Sequence, residues 1–174
     1  ATFRSQAGGA LTLTLELICK DWDDTITFPS ISGTYTTLAP FMHHDLVTTV
    51  GGTAYKPQDF TLVVDNRLSP IIRNSTTRNH IVPTDRMTTC GMLFGNSADE
   101  QTLYQLAVTA ESAIVATYTN GTVSLAFSIP YGMLLNRQTP GANGRNTEIT
   151  RNFQWEAKAS AALDELATTL DSTP

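Results

Sequence analysis

The chain has little charge. Only 16% of its 174 residues are Asp, Glu, Lys or Arg, against about 25% in an ordinary soluble protein. Eleven cations face sixteen anions for a net charge of −5, and the pI is near 5.0. That balance excludes a protein that holds nucleic acid by bulk positive charge. Aromatic residues are few, at 8%, and there are two cysteines. Cys19 and Cys90 stand far apart, each in an apolar stretch, so the expectation is buried thiols rather than a disulfide framework. No apolar run approaches the roughly 18 residues of a membrane span. The opening ATFRSQAGGA has no apolar core of the kind a secretory signal carries. With no initiator methionine, the chain is expected to be part of a longer one.

Catalytic motifs are scarce as well. There is no Gly-x-Ser-x-Gly elbow, no phosphate-cradling glycine loop, no His-Glu-x-x-His and no paired-cysteine zinc spacing. His43, His44 and Asp45 are metal-capable side chains, but neighbours along a strand point to opposite faces and do not reach one ion. Asp21-Trp22-Asp23-Asp24 begins like a calcium loop yet lacks the glycine and distal glutamate of one. Asn74-Ser75-Thr76 and Asn120-Gly121-Thr122 match glycosylation sequons and read as turns. A hydrolase built on His43, His80 and nearby acids has no nameable nucleophile and base. The expectation is no enzyme, no metal and no cofactor.

What the sequence does have is period-two alternation and much threonine. Leu11, Leu13, Leu15 and Leu17 share one face of a strand, with Thr12, Thr14 and Glu16 opposite. SAIVATYT (112–119) and TVSLAFSI (122–129) flank Asn120-Gly121, a dipeptide suited to a type I′ hairpin turn. That turn would oppose Tyr118 to Val123, Ala116 to Leu125 and Ile114 to Phe127. Further strands are expected at Thr25–Phe28, Leu46–Val50, Phe60–Asp65, Met87–Phe94 and Ile149–Ala157. One α-helix is expected over Ala98–Glu111, opened by a Ser97/Glu100 capping box beside Asp99 and carrying Leu103, Leu106, Ala107 and Ala110 on one stripe. Residues 160–171 fit helix and strand equally.

These elements predict a single all-β domain over residues 1–174, an antiparallel sandwich or barrel with one flanking helix. Two stretches, 66–85 and 132–148, have no regular pattern and are expected as long loops, which in compact domains are usually functional or held by a partner. They gather Arg67, Arg73, Arg78, Arg137 and Arg145, while Asp21, Asp23, Asp24, Asp45 and Asp59 lie in the first third. Arginine-bearing arms on an acidic body can complement copies of the same chain, so these five arginines are the expected subunit-interface residues. An adhesion module that stacks Trp22 or Trp155 on sugar rings is the alternative.

The order of segments ALTLTLELIC, FTLVVDNRLSP, MTTCGMLFG, TNGTVSLAFSIP and ITRNFQWEAKAS resembles the C-terminal part of the tail tube proteins (major tail proteins) of long-tailed bacteriophages. The resemblance spans about residues 8–170. It implies a non-enzymatic virion protein whose copies form rings, commonly hexameric, that stack into a hollow tube. It implies contacts with copies of itself and with tape-measure, terminator and baseplate proteins, and none with a membrane. DNA would pass the lumen without specific binding, and assembly would occur in the host bacterial cytoplasm. It favours a strand for Leu166–Leu170. Chains of this family are commonly longer, so an N-terminal portion is expected to be absent here.

Overall fold

The computed structural model describes residues 1–18, 39–71, 80–83, 85–95, 101–103, 105, 111–121, 123–137, 150–159 and 164–171, with backbone alone at 70, 80–83, 136 and 137. The expected strand at Thr25–Phe28, the Asp21–Asp24 cluster, Cys19, the Asn74 sequon and most of the helix lie outside these residues. Twelve strands are described: β1 (Thr2–Gln6), β2 (Thr12–Thr14), β3 (Leu46–Val50), β4 (Thr53–Tyr55), β5 (Asp59–Asp65), β6 (Leu68–Ile71), β7 (His80–Pro83), β8 (Met87–Phe94), β9 (Ser112–Asn120), β10 (Val123–Arg137), β11 (Arg151–Ala157) and β12 (Ala167–Asp171). Residues 101–103 and 105 are helical, and Leu103 enters the core with no exposed surface.

Ten strands form one antiparallel ladder in the order β2-β1-β5-β8-β11-β10-β9-β3-β4, with β12 joined to β10 beside that path. The ladder does not close on itself, but it curls. Although four places separate β1 from β10 in the ladder, the rings of Phe3 and Phe127 meet at 4.8 Å. Phe60 stacks on Phe127 and meets Tyr118 edge-on. A second aromatic group joins Tyr55, Phe94, Phe153 and Trp155. The inward positions follow the expected period: Ile114, Ala116 and Tyr118 on β9, Phe127 and Ile129 on β10, and Phe153, Trp155 and Ala157 on β11 are all buried. Burial of such side chains at about 1.5–3 kcal/mol each is the main force holding the curl.

Three expectations need correction. The β9–β10 hairpin forms, but Asn120 opposes Val123, Tyr118 opposes Leu125, Ala116 opposes Phe127 and Ile114 opposes Ile129. Asn120 therefore belongs to the strand, and the turn begins at Gly121 rather than at Asn120. Gly121 has φ +62°, which suits the first central position of a type II′ turn. Asn120 instead donates its side-chain amide to the carbonyl of Ala39 at 2.7 Å. Next, the stretch 66–85 is not wholly irregular, because β6 and β7 pair there as a small separate sheet. Last, β10 runs on to Arg137, into the stretch expected to be a loop. A bulge between Ile129 and Gly132 carries it past Pro130, since proline has no N–H for the ladder. At the C-terminus the strand reading holds: β12 pairs with β10 from Ser124 to Ser128.

Candidate functional site

The curl is locked by a polar seam. The Ser5 hydroxyl on β1 lies 2.8 Å from Nδ1 of His43 and 2.6 Å from the Tyr118 hydroxyl on β9. His43 sits in a short 3-10 turn, and its Nε2 lies 2.8 Å from the Pro57 carbonyl. A carbonyl only accepts, so Nε2 carries the proton and donates to Pro57. The Ser5 hydroxyl thus bridges Nδ1 of His43 and the Tyr118 hydroxyl. This is a Ser–His pair without access: Ser5 is 1% exposed and both of its hydrogen-bonding directions are used. Burial pushes the Tyr118 hydroxyl up to about 12, an effect its bond to Ser5 partly offsets. His44 points away into solvent, near Asp45, so the two histidines do not converge. Among the described residues no group of three or more His, Cys, Asp or Glu could hold a metal ion.

Trp155 is 1% exposed and stacked on Phe153, which removes it as a sugar platform. Trp22 lies outside the described residues. The groove of about 340 Å³ across β5, β8 and β11 is lined by Asp59, Thr61, Gly91, Asn152 and Gln154 among others, with no aromatic ring.

The two outward faces of the curled sheet differ in chemistry. On β1, β5, β8 and β11 the outward positions carry charge and amides: Arg4 pairs with Asp59 at 3.0 Å, and Glu156 with Lys158 at 3.1 Å. On β3, β9, β10 and β12 the register sets small uncharged side chains in rows. Thr49, Val115, Ser128 and Ala167 form one row, and Val47, Thr117, Ala126 and Thr169 the next. The third row is Thr119, Ser124 and Asp171. Asp171 is the sole charge in these three rows.

A third kind of surface is apolar. The leucine stripe begins half-buried at Leu11 and emerges along the chain: Leu13, Leu15 and Leu17 are 52%, 58% and 78% exposed. Only Thr12–Thr14 of it pairs as a strand, although the alternation runs to Leu17. Past the bulge, the outward positions of β10 become Tyr131, Met133 and Leu135, all exposed.

Of the five expected interface arginines, Arg67 is the one whose side chain is described. It sits at the β5–β6 corner in left-handed backbone, φ +42°. Its amide donates to Asp65 at 2.9 Å, and its guanidinium lies 3.6 Å from Asp85. Arg137 ends β10, far along the sequence from that corner. Arg73, Arg78 and Arg145 lie outside the described residues.

A family model described as phage tail tube protein matches residues 1–157. The chain belongs to that family. Solved structures of similar fold include the tube-terminating cap of an anti-feeding prophage, at 12% identity and TM-score 0.59, covering 82% of this chain and all of that one. The sheath/tube terminator of an extracellular contractile injection system, PVC, is similar at 11% identity and TM-score 0.60, covering 79% of this chain and all of its own. The sheath–tube complex of the same system gives 12% identity and TM-score 0.50, over 74% and 88%. A search of curated proteins finds no significant match.

Membership in the tail tube family identifies a structural component of the tail. It also marks which features a residue-by-residue search for chemistry overlooked. Tyr131, Gly132, Met133, Leu134 and Leu135 form a run apolar at both parities, the pattern of a strand covered on both faces. The uncharged sheet face carries a weaker signal, the serine and threonine that alternate with the core residues of β9 and β10.

Proposed function

We propose that this tail tube protein is a self-assembling subunit: copies join side by side into rings, hexameric as is common for such tubes, and the rings stack into a hollow conduit for DNA. The exposed leucine stripe carries this reading. An alternation that is built for burial emerges progressively into solvent within a single chain, which is the pattern of a surface covered by another copy. The open ladder adds to it, since β2 and β4 are its terminal strands among the described residues, and a terminal strand can take a further strand beside it. Tyr131 and Met133 supply large anchors of the kind enriched at subunit contacts, with Leu135 exposed beside them.

Of the five arginines, Arg73, Arg78, Arg137 and Arg145 serve the same contacts by pairing with acids of the adjoining subunit, and Arg67, beside Asp85 of its own chain, borders them. The similar structures, a tube-terminating cap and sheath–tube assemblies, support docking to other tail components, with tape-measure, terminator and baseplate proteins as the partners. Assembly takes place in the host cytoplasm before the tail joins the virion.

The test is negative-stain microscopy of the full chain over a concentration series, with particle mass measured in parallel. Rings or tubes are expected. Monomers that persist at high concentration refute the reading.

A further inference from the structure

We infer that the uncharged outward face of β3, β9, β10 and β12 is the wall of the channel, the surface past which double-stranded DNA slides. The inference rests on the tube reading above and says which side of the subunit turns inward.

Three locations are open to an outward sheet face in a tube: the exterior, a subunit contact or the lumen. An exterior surface needs charge to stay soluble, commonly a quarter or more of its residues. Here the three rows carry one charged residue, Asp171, while the opposite face holds ion pairs between Arg4 and Asp59 and between Glu156 and Lys158. A subunit contact draws its energy from aromatic, methionine and arginine anchors, and serine, threonine and valine are under-represented among its strong contributors. Thr117, Ser124, Ala126, Ser128 and Thr169 offer no such anchor. The anchors lie elsewhere, in Tyr131 and Met133 on β10 past its bulge.

The lumen fits on both counts. Duplex DNA binds protein chiefly through cations that displace its counterions, and no Lys or Arg stands in the three described rows. Hydroxyls keep the wall wet. Short β-branched and methyl side chains, held in register across four strands, leave no long arm to catch a phosphate. One strand would thus serve two surfaces, with the first half of β10 facing the channel and the second half facing a neighbour.

Cysteine accessibility in the assembled tube tests the assignment. In a Cys19→Ser background, where Cys90 is buried, Thr117→Cys or Thr169→Cys marks the proposed wall and Gln154→Cys the opposite face. Tubes verified by microscopy are treated with N-ethylmaleimide or with maleimide-coupled serum albumin, which is too bulky to enter the channel. The wall cysteines should keep their reaction with the small reagent and lose their reaction with the albumin conjugate on assembly. Retained reaction with both reagents puts the face outside, and loss of both puts it in a subunit contact. Either result overturns the inference and leaves the tube reading intact. If the unsubstituted chain forms no tubes, the tube reading falls and this inference with it.

Discussion

Removing the leucine stripe should abolish assembly and leave the subunit folded. The perturbation is the triple change Leu13→Thr, Leu15→Thr and Leu17→Thr, which puts β-branched residues suited to extended backbone at all three positions. Because these leucines are 52–78% exposed in the single chain, they add little to its own stability, and surface changes of this kind usually fall within about 0.5 kcal/mol. The area left for a neighbour to cover equals about two whole leucine side chains, worth about 3–6 kcal/mol at about 1.5–3 kcal/mol each. Threonine recovers part of that, so the net loss per contact is about 2–4 kcal/mol. At about 1.4 kcal/mol per tenfold, the critical concentration for tube formation should rise by about 30- to 1,000-fold. Sedimentation of assembled material across a dilution series reads that shift, and thermal unfolding of the dispersed subunit reads the fold. An unchanged critical concentration refutes the reasoning. So does a large fall in melting temperature, which would mean the leucines serve the chain's own core.

Further outcomes follow from the interior. A Cβ at Gly132 would lie 2.8 Å from the tip of Ile114 and 3.1 Å from the Ser112 carbonyl, so Gly132→Ala should destabilise by about 1–3 kcal/mol. Gly91→Ala, whose Cβ would meet only ordinary contacts at 3.9 Å, is the control, and calorimetry separates the two. Ser5→Ala leaves both the Tyr118 hydroxyl and His43 Nδ1 short of a partner and should lose about 1–3 kcal/mol. In a double-mutant cycle with Tyr118→Phe, denaturant unfolding should give less than the sum of the single losses. Burial raises the Cys90 thiol from 9.0 to about 12 and the Tyr118 hydroxyl from 10.0 to about 12. The unfolded chain therefore releases these protons first as pH rises. Their contribution is whole below about pH 9 and is lost progressively up to about pH 12. Urea unfolding from pH 7 to 10.5 should show falling stability, with a shallower fall in Cys90→Ala.

Much of the ladder was legible because its strands each bury one face. β3 and β8 occupy the spans their alternation marks, Leu46–Val50 and Met87–Phe94, and β5 and β11 differ from theirs by one or two residues. The hairpin register was not legible. A slip of two residues keeps every side chain on its own face, so the hydrophobic pattern is blind to it and only the turn distinguishes the choices. Asn120-Gly121 offered a plausible turn, but the asparagine is occupied at Ala39, a contact 81 positions away in sequence. The second half of β10 was hidden by Pro130, which normally argues against a strand interior and here sits in a bulge. The seam of Ser5, His43 and Tyr118 joins residues up to 113 apart, and no local spacing announces it. Of the expected interface cations, Arg67 is held by acids of its own chain, a pairing that composition alone does not distinguish from an intersubunit one.

Pro130 has a consequence beyond bending its strand. On the side of β10 away from β9, β11 finishes with Ala157 opposite Gly132 and β12 opens with Ala167 opposite Ser128. The imide between them offers no hydrogen to either, so neither partner can creep along and displace the other. The proline is a fixed boundary stone: the chain leaves β11 on one side of it and enters β12 on the other, so the aromatic half of the molecule keeps its own pairing whatever register the last strand takes.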